Sequence, residues 1–307
     1  MAVIRNTFML LPSVGAKKEK AIWESGIRTW DDFIGADRVL RMCGEAKTRH
    51  DAVLTQASEM LDDRDCIGLA EMTPKSEHWR LFGEFHGNAR YLDIETDGLS
   101  RDALVTVVTV HSPKETVTLT EGIDLTPDSL SDALDGADML VTFNGSCFDI
   151  PVLRNSFPEV DFDIPQFDLR FASRKVGYRG GLKPLEIEMG IVRADEIQGV
   201  DGADAVRLWK RWIRHGDRDA LDILREYNRA DTVNLERIAG TIYERLVKEH
   251  AGFVWRRPQT ESRSALRRRR AARGLVGPRD HAHRCGRHNG GSDRRCHVGS
   301  LGDRAPR

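Results

Sequence analysis

The 307-residue sequence contains no run of about 18 apolar residues and no charged, apolar, then small-residue leader. A membrane-spanning helix is therefore not expected, a secretory signal is not indicated, and the expected location is the cytoplasm. Cysteine is scarce. Cys43, Cys66, Cys147, Cys285 and Cys296 are odd in number and show no CxxC spacing, so neither a disulfide framework nor a zinc site is indicated. The histidines around Cys285 and Cys296 match no zinc module. Aromatic residues make up only 7% of the chain, which leaves no evident stacking platform for nucleic-acid bases. Lysine is absent beyond residue 250, where 15 arginines and four acids give a balance of +11. The first 250 residues are the reverse, with 32 basic against 44 acidic side chains, or −12. A body that grips phosphates is normally rich in Lys and Arg, so either a locally basic groove or adaptation to high salt is implied.

The chain does have enough apolar material, 40% of its residues, to bury one substantial core. Leu11-Pro12-Ser13-Val14-Gly15, followed by Ala21, Ile22, Ile27, Trp30 and Phe33 at helical spacing, predicts a tight turn between two short amphipathic helices. Polar helical segments such as Ala52 to Leu61 follow, and they link to or rest against what comes next. From Ala89 the period becomes strand-like. Tyr91 to Thr96, Leu104 to Val110 and Thr116 to Thr120 are separated by Asp97-Gly98 and Ser112-Pro113, which predicts a three-stranded antiparallel meander. A helix over Pro127 to Leu134 and a strand over Met139 to Phe143 then point to an α/β fold with a mixed sheet covered by helices. The remainder to about Leu246 reads as mainly helical. The Arg-, Gly- and His-rich end has no periodic apolar face; it reads as a disordered basic tail or as an out-of-frame translation of a GC-rich gene.

Three segments carry candidate chemistry. In Tyr91-Leu92-Asp93-Ile94-Glu95-Thr96 the two-residue strand period sets Leu92 and Ile94 on one face and Asp93 and Glu95 on the other. Two adjacent carboxylates suit either a solvent-facing edge or a hard divalent cation. After the Met139 strand, Asn144-Gly145 forms a turn and Asp149 opens a short helix with Pro151 in its first turn. Asp149 is there an N-cap or a site residue at a strand end. Further on, Leu224, Tyr227, Asp231, Leu235, Ile238 and Ile242 follow steps of three and four, which puts Asp231 on the core-facing stripe of a helix. An ionised carboxylate there needs hydrogen bonds or a cation, and the Tyr227 hydroxyl, one turn earlier, can reach a water held at the same place.

In this order the segments resemble the three motifs of the DEDD exonuclease superfamily: Asp93-Ile94-Glu95, Asn144 to Phe148-Asp149, and Tyr227-Asn228-Arg229-Ala230-Asp231. Tyrosine four residues before the last acid resembles the tyrosine-bearing subclass. Asp168-Leu169 and Gly180-Gly181-Leu182-Lys183 make the chain look most like the YprB-type predicted exonucleases. The resemblance implies a ribonuclease H-like mixed five-stranded sheet flanked by helices over residues 87–248. It also implies a helix-hairpin-helix-like module over 1–35, while the residue pattern itself gives a helical linker over 36–86 and a basic disordered tail over 249–307. Ser13 stands where the helix-hairpin-helix motif usually has its first glycine.

Carried over residue by residue, the resemblance implies that Asp93, Glu95, Asp149 and Asp231 hold two Mg²⁺ or Mn²⁺ ions while Tyr227 orients the attacking water. The implied reaction is hydrolysis of DNA or RNA to a 5′-phosphorylated product, 3′-5′ exonucleolytic at a single-stranded 3′ end if the groove is that of an exonuclease and endonucleolytic if the groove is open. Thr96, Asn144, Lys183 and Lys17 are the candidate nucleic-acid contacts. A helicase or repair protein is the candidate partner, no membrane is expected, and nothing sets the oligomeric state. The alternative reading is a catalytically silent nucleic-acid-binding adaptor on the same fold.

Overall fold

The computed structural model describes residues 3–100 and 102–254; of the basic disordered tail expected over 249–307, residues 249–254 are instead the end of a helix and the rest lies outside the described residues. A 3-10 turn over Ile4–Asn6 leads into α1 (Ala16–Glu24), α2 (Trp30–Ile34), α3 (Gly44–Asp62), α4 (Cys66–Met72) and, after a 3-10 stretch, α5 (Phe82–Phe85). The expected pairing of one α-helix on each side of the Leu11–Gly15 turn is corrected. Only the short 3-10 turn precedes it, and both α1 and α2 follow it. Met9-Leu10-Leu11-Pro12 is too short between bends to close an α-helical nucleus. Ser13 adopts φ +62°, the left-handed conformation that explains why such a turn prefers glycine at this position.

The meander follows as β1 (Ala89–Thr96), β2 (Val105–His111) and β3 (Thr116–Thr120). Next come α6 (Pro127–Leu134), β4 (Met139–Thr142), α7 (Asp149–Ser156) and β5 (Gln166–Asp168), a three-residue strand that sequence periodicity does not reveal. Helices α8 (Leu169–Lys175), α9 (Leu182–Glu188), α10 (Gly202–His215) and α11 (Arg218–Val254) complete the chain. The five strands form one mixed sheet in the order β3-β2-β1-β4-β5, with β1 antiparallel to β2 and parallel to β4. No described helix is long and apolar enough to cross a membrane.

The strand period sorts the two faces. Leu92, Ile94, Val108 and Leu140 meet α6 and α7 through Leu130, Leu134, Ile150 and Leu153. On the opposite face Ala89, Tyr91, Met139, Val141 and Phe167 share a cluster with Leu235, Ile238 and Ile242 of α11 and with Ile4, Phe8, Ile22 and Phe33 of the leader. The leader is thereby packed into the same core as the sheet.

Buried ions tie the leader down as well. The Glu19 carboxylate accepts from Thr7 Oγ1 at 2.9 Å, Phe8 N at 2.7 Å and the Arg80 guanidinium at 2.8 and 3.0 Å. Arg80 Nε also bonds Glu77 at 2.9 Å, and Glu77 in turn meets Lys175 of α8 at 2.9 Å.

Candidate metal centre

Pairing of β1 with β4 covers only Ala89 to Tyr91, so the second half of β1 has no strand on that side. The N-terminus of α7 fills this gap: the N–H groups of Ile94 and of Asp149 itself approach the Asp149 carboxylate. The turn that delivers Asp149 is tightly specified. Asn144 adopts φ +71°. A Cβ on Gly145 would lie 2.5 Å from the Thr142 side chain, so only glycine lets the turn fold back onto β4. Asp168, at the end of β5, accepts from the N–H of Asn144 at 2.9 Å, from the N–H of Ser146 at 3.2 Å and from the Ser146 hydroxyl at 2.5 Å.

Asp93 and Glu95 occupy the β1 face that α11 covers, not a solvent edge, because Asn228 of α11 donates to Asp93 Oδ2 at 2.8 Å. From the same helix Tyr227 and Asp231 are 5% and 6% exposed. One carboxylate oxygen each of Asp93, Glu95 and Asp231 lie within 4.8 Å of one another. Asp149 stands beside this trio: of the neighbouring charges, its own is the one that raises the Asp93 pKa most.

The electrostatics describe a site short of positive charge. Burial and then the charges of Asp149, Asp231 and Glu95 hold the Asp93 carboxyl well above the usual range. Burial followed by Asp231 and Asp149 does the same to Glu95. The Asp149 pKa is pushed up to about 7, first by burial and then by Asp168 against the pull of the two N–H groups. Burial raises Asp231 too, against the pull of Arg193. Tyr227 is raised by burial, then by Asp231, Glu95 and Asp93, so its hydroxyl keeps its proton.

Hard oxygen donors, mutual repulsion and partial burial fit a divalent cation, which would relieve the repulsion that protons must otherwise relieve. Asp93, Glu95 and Asp231 would hold it, with Asp149 in reach of the same charge.

The model of the ribonuclease H superfamily matches residues 90–243. The chain belongs to the ribonuclease H superfamily. A solved structure described as "apo form of the nuclease" is 24% identical, covers 62% of this chain and 86% of its own, and gives a TM-score of 0.40. No curated protein matches the chain.

Within this ribonuclease H domain the other sequence-derived candidates fall in different places. Lys183 lies at the site, its ammonium 4.7 Å from the centre of the Tyr227 ring and bonded to the Val200 carbonyl. Thr96 ends β1, and its hydroxyl closes the following turn on Gly98 O at 2.6 Å. The Asn144 side chain accepts from Arg170, which leaves it a turn-forming role in this arrangement. Lys17, outside that domain, is exposed on α1 of the leader.

Sequence reasoning missed Asn228, Glu186 and Arg193. Asn228 was legible, since it lies three residues before Asp231 on the covered face. Arg193, in the loop after α9, pairs with both Glu186 and Asp231, and no local pattern announces it.

Proposed function

We propose that this chain is a divalent-metal-dependent nuclease of the tyrosine-bearing DEDD type, similar to the YprB-type exonucleases, acting from the 3′ end of a nucleic acid. The observation that carries this reading is the convergence of Asp93, Glu95 and Asp231 within 4.8 Å, from a strand and a helix far apart in sequence. Bound there, two Mg²⁺ or Mn²⁺ ions would supply Lewis-acid stabilisation of the phosphodiester and lower the pKa of the attacking water.

The protein's own groups perform the rest. Asn228 fixes the Asp93 carboxylate with a charge-assisted hydrogen bond at 2.8 Å. Tyr227, protonated and held beneath the Lys183 ammonium, offers a hydroxyl to position water beside Asp231. Asp168 holds the turn that presents Asp149. A nucleic acid is the substrate of this chemistry, and a helicase or repair protein is the partner we propose for it.

The test is degradation of end-labelled single-stranded DNA and RNA with Mg²⁺, Mn²⁺ or EDTA, comparing the wild type with Asp93→Ala. Metal-dependent laddering from the 3′ end, lost in the variant, is the expected result. Binding without cleavage under every metal would overturn the enzyme and leave a nucleic-acid adaptor.

A further inference from the structure

Arg193 stands at the carboxylate cluster, and the reaction outlined above does not use its pairing. Its side chain is 9% exposed, and it sits over the Tyr227 ring with its guanidinium carbon 5.6 Å from the ring centre. Glu186, itself 3% exposed, holds it by two bonds, Nε to Oε2 and Nη2 to Oε1, both 2.8 Å. Asn234 of α11 fixes Glu186 Oε1 in turn at 2.8 Å. Nη2 also bonds Asp231, one of the three clustered carboxylates. The other terminal nitrogen, Nη1, is buried and has no hydrogen-bond partner among the described residues.

A guanidinium buried only to neutralise Glu186 would leave no reason for an orphaned donor, since an unmet buried N–H costs free energy comparable to a lost hydrogen bond. The Glu186 fork needs one edge of the guanidinium. Nη2, shared with that fork, also reaches Asp231, and Nη1 beside it is unpaired among the described residues. Two adjacent N–H groups on a fixed plane match two oxygens of a phosphate, a geometry that lysine cannot supply.

We propose that Arg193 is a substrate-phosphate ligand: without a divalent cation it is parked on Asp231, and when a cation takes Asp231 the clamped guanidinium grips a phosphate of the nucleic acid. This rests on the nuclease reading and deepens it. Arg193 and the cation compete for the same carboxylate, so the parked state weakens cation binding. Substrate reverses this, because a phosphate compensates the charge that Asp231 gives up.

The experiment uses the full chain stripped of metal and measures two affinities by calorimetry: Mn²⁺ alone, and thymidine 5′-monophosphate in saturating Ca²⁺. Arg193→Gln is expected to bind Mn²⁺ several-fold more tightly than the wild type and the mononucleotide about tenfold or more weakly. Arg193→Lys keeps a cation for Glu186 and Asp231, so it preserves the fold if the glutamine variant does not, and it is expected to lose most of the mononucleotide affinity as well.

Mononucleotide affinity within about twofold of wild type in a folded Arg193 variant would overturn the phosphate role, as would Mn²⁺ binding that weakens in Arg193→Gln. If wild-type Mn²⁺ binding is present and lost in Asp231→Asn, such a failure concerns Arg193 alone. If the wild type binds no Mn²⁺ at all, the nuclease reading itself fails, and this one with it.

Discussion

Replacing Asp149 by asparagine is expected to make the metal-free protein more stable at alkaline pH, although it removes a group from the reactive cluster. The Asp149 carboxyl is 5% exposed and its pKa is pushed up to about 7, against an ordinary value near 4. A group whose pKa is raised by folding stabilises the fold fully below its unfolded value and loses that contribution as pH rises through the folded value. Between pH 4 and 7 the metal-free wild type should therefore lose stability, as a buried carboxylate ionises beside Asp93 and Asp168. The displacement corresponds to roughly 4 kcal/mol for one site, and titration shared with Asp93 and Glu95 brings the part that Asp149→Asn recovers to roughly 2 to 4 kcal/mol. Asparagine keeps an oxygen for the N–H groups of Ile94 and residue 149, so no new defect offsets the gain. Thermal unfolding in EDTA should show equal midpoints at pH 4 and a variant roughly 5 to 10 °C higher at pH 8. Saturating Mn²⁺ should reverse the order at pH 8, because only the carboxylate can share the cation's charge. A variant no more stable than wild type at pH 8 in EDTA, or equally favoured at both pH values, would refute the electrostatic account of the cluster.

Other expectations follow from single contacts. Asn228→Ala removes the hydrogen bond that orients Asp93, and a drop of about 10- to 100-fold in Mn²⁺ affinity is expected by calorimetry. Glu19→Ala strands the 6%-exposed Arg80 guanidinium without its main partner, and chemical denaturation should show a loss of about 3 to 5 kcal/mol. Ser13→Gly relieves a left-handed φ of +62° and should raise stability by up to about 1 kcal/mol in the same assay, with a loss instead meaning that the serine is needed where it stands.

Much of the fold was legible in local pattern. The alternation in Tyr91 to Thr96 set Leu92 and Ile94 against α6 and α7 and set Asp93 and Glu95 on the opposite face. The three- and four-residue steps from Leu224 to Ile242 placed Tyr227 and Asp231 on the buried side of α11, where the structure has them. Helix α6 spans Pro127–Leu134 as expected, because proline at the first helical position is a purely local signal, and the structure adds the Thr126 cap. The turn before α1 was misjudged for the complementary reason: a proline-containing stretch looks the same whether or not a helix precedes it.

The sequence by itself thus determined which face of β1 carries Asp93 and Glu95 and which face of α11 carries Asp231, since periodicity depends only on backbone geometry, while Asp149 stayed open between a cap and a site residue. Only the tertiary structure decided what those faces meet. It closed Asp93, Glu95 and Asp231 to within 4.8 Å, inserted the start of α7 where β4 stops pairing, and brought Asn228 onto Asp93. It also drew Arg193 from a loop 38 residues away onto Asp231. Contacts of that kind depend on how far separate elements travel before they pack, and no local spacing records that distance.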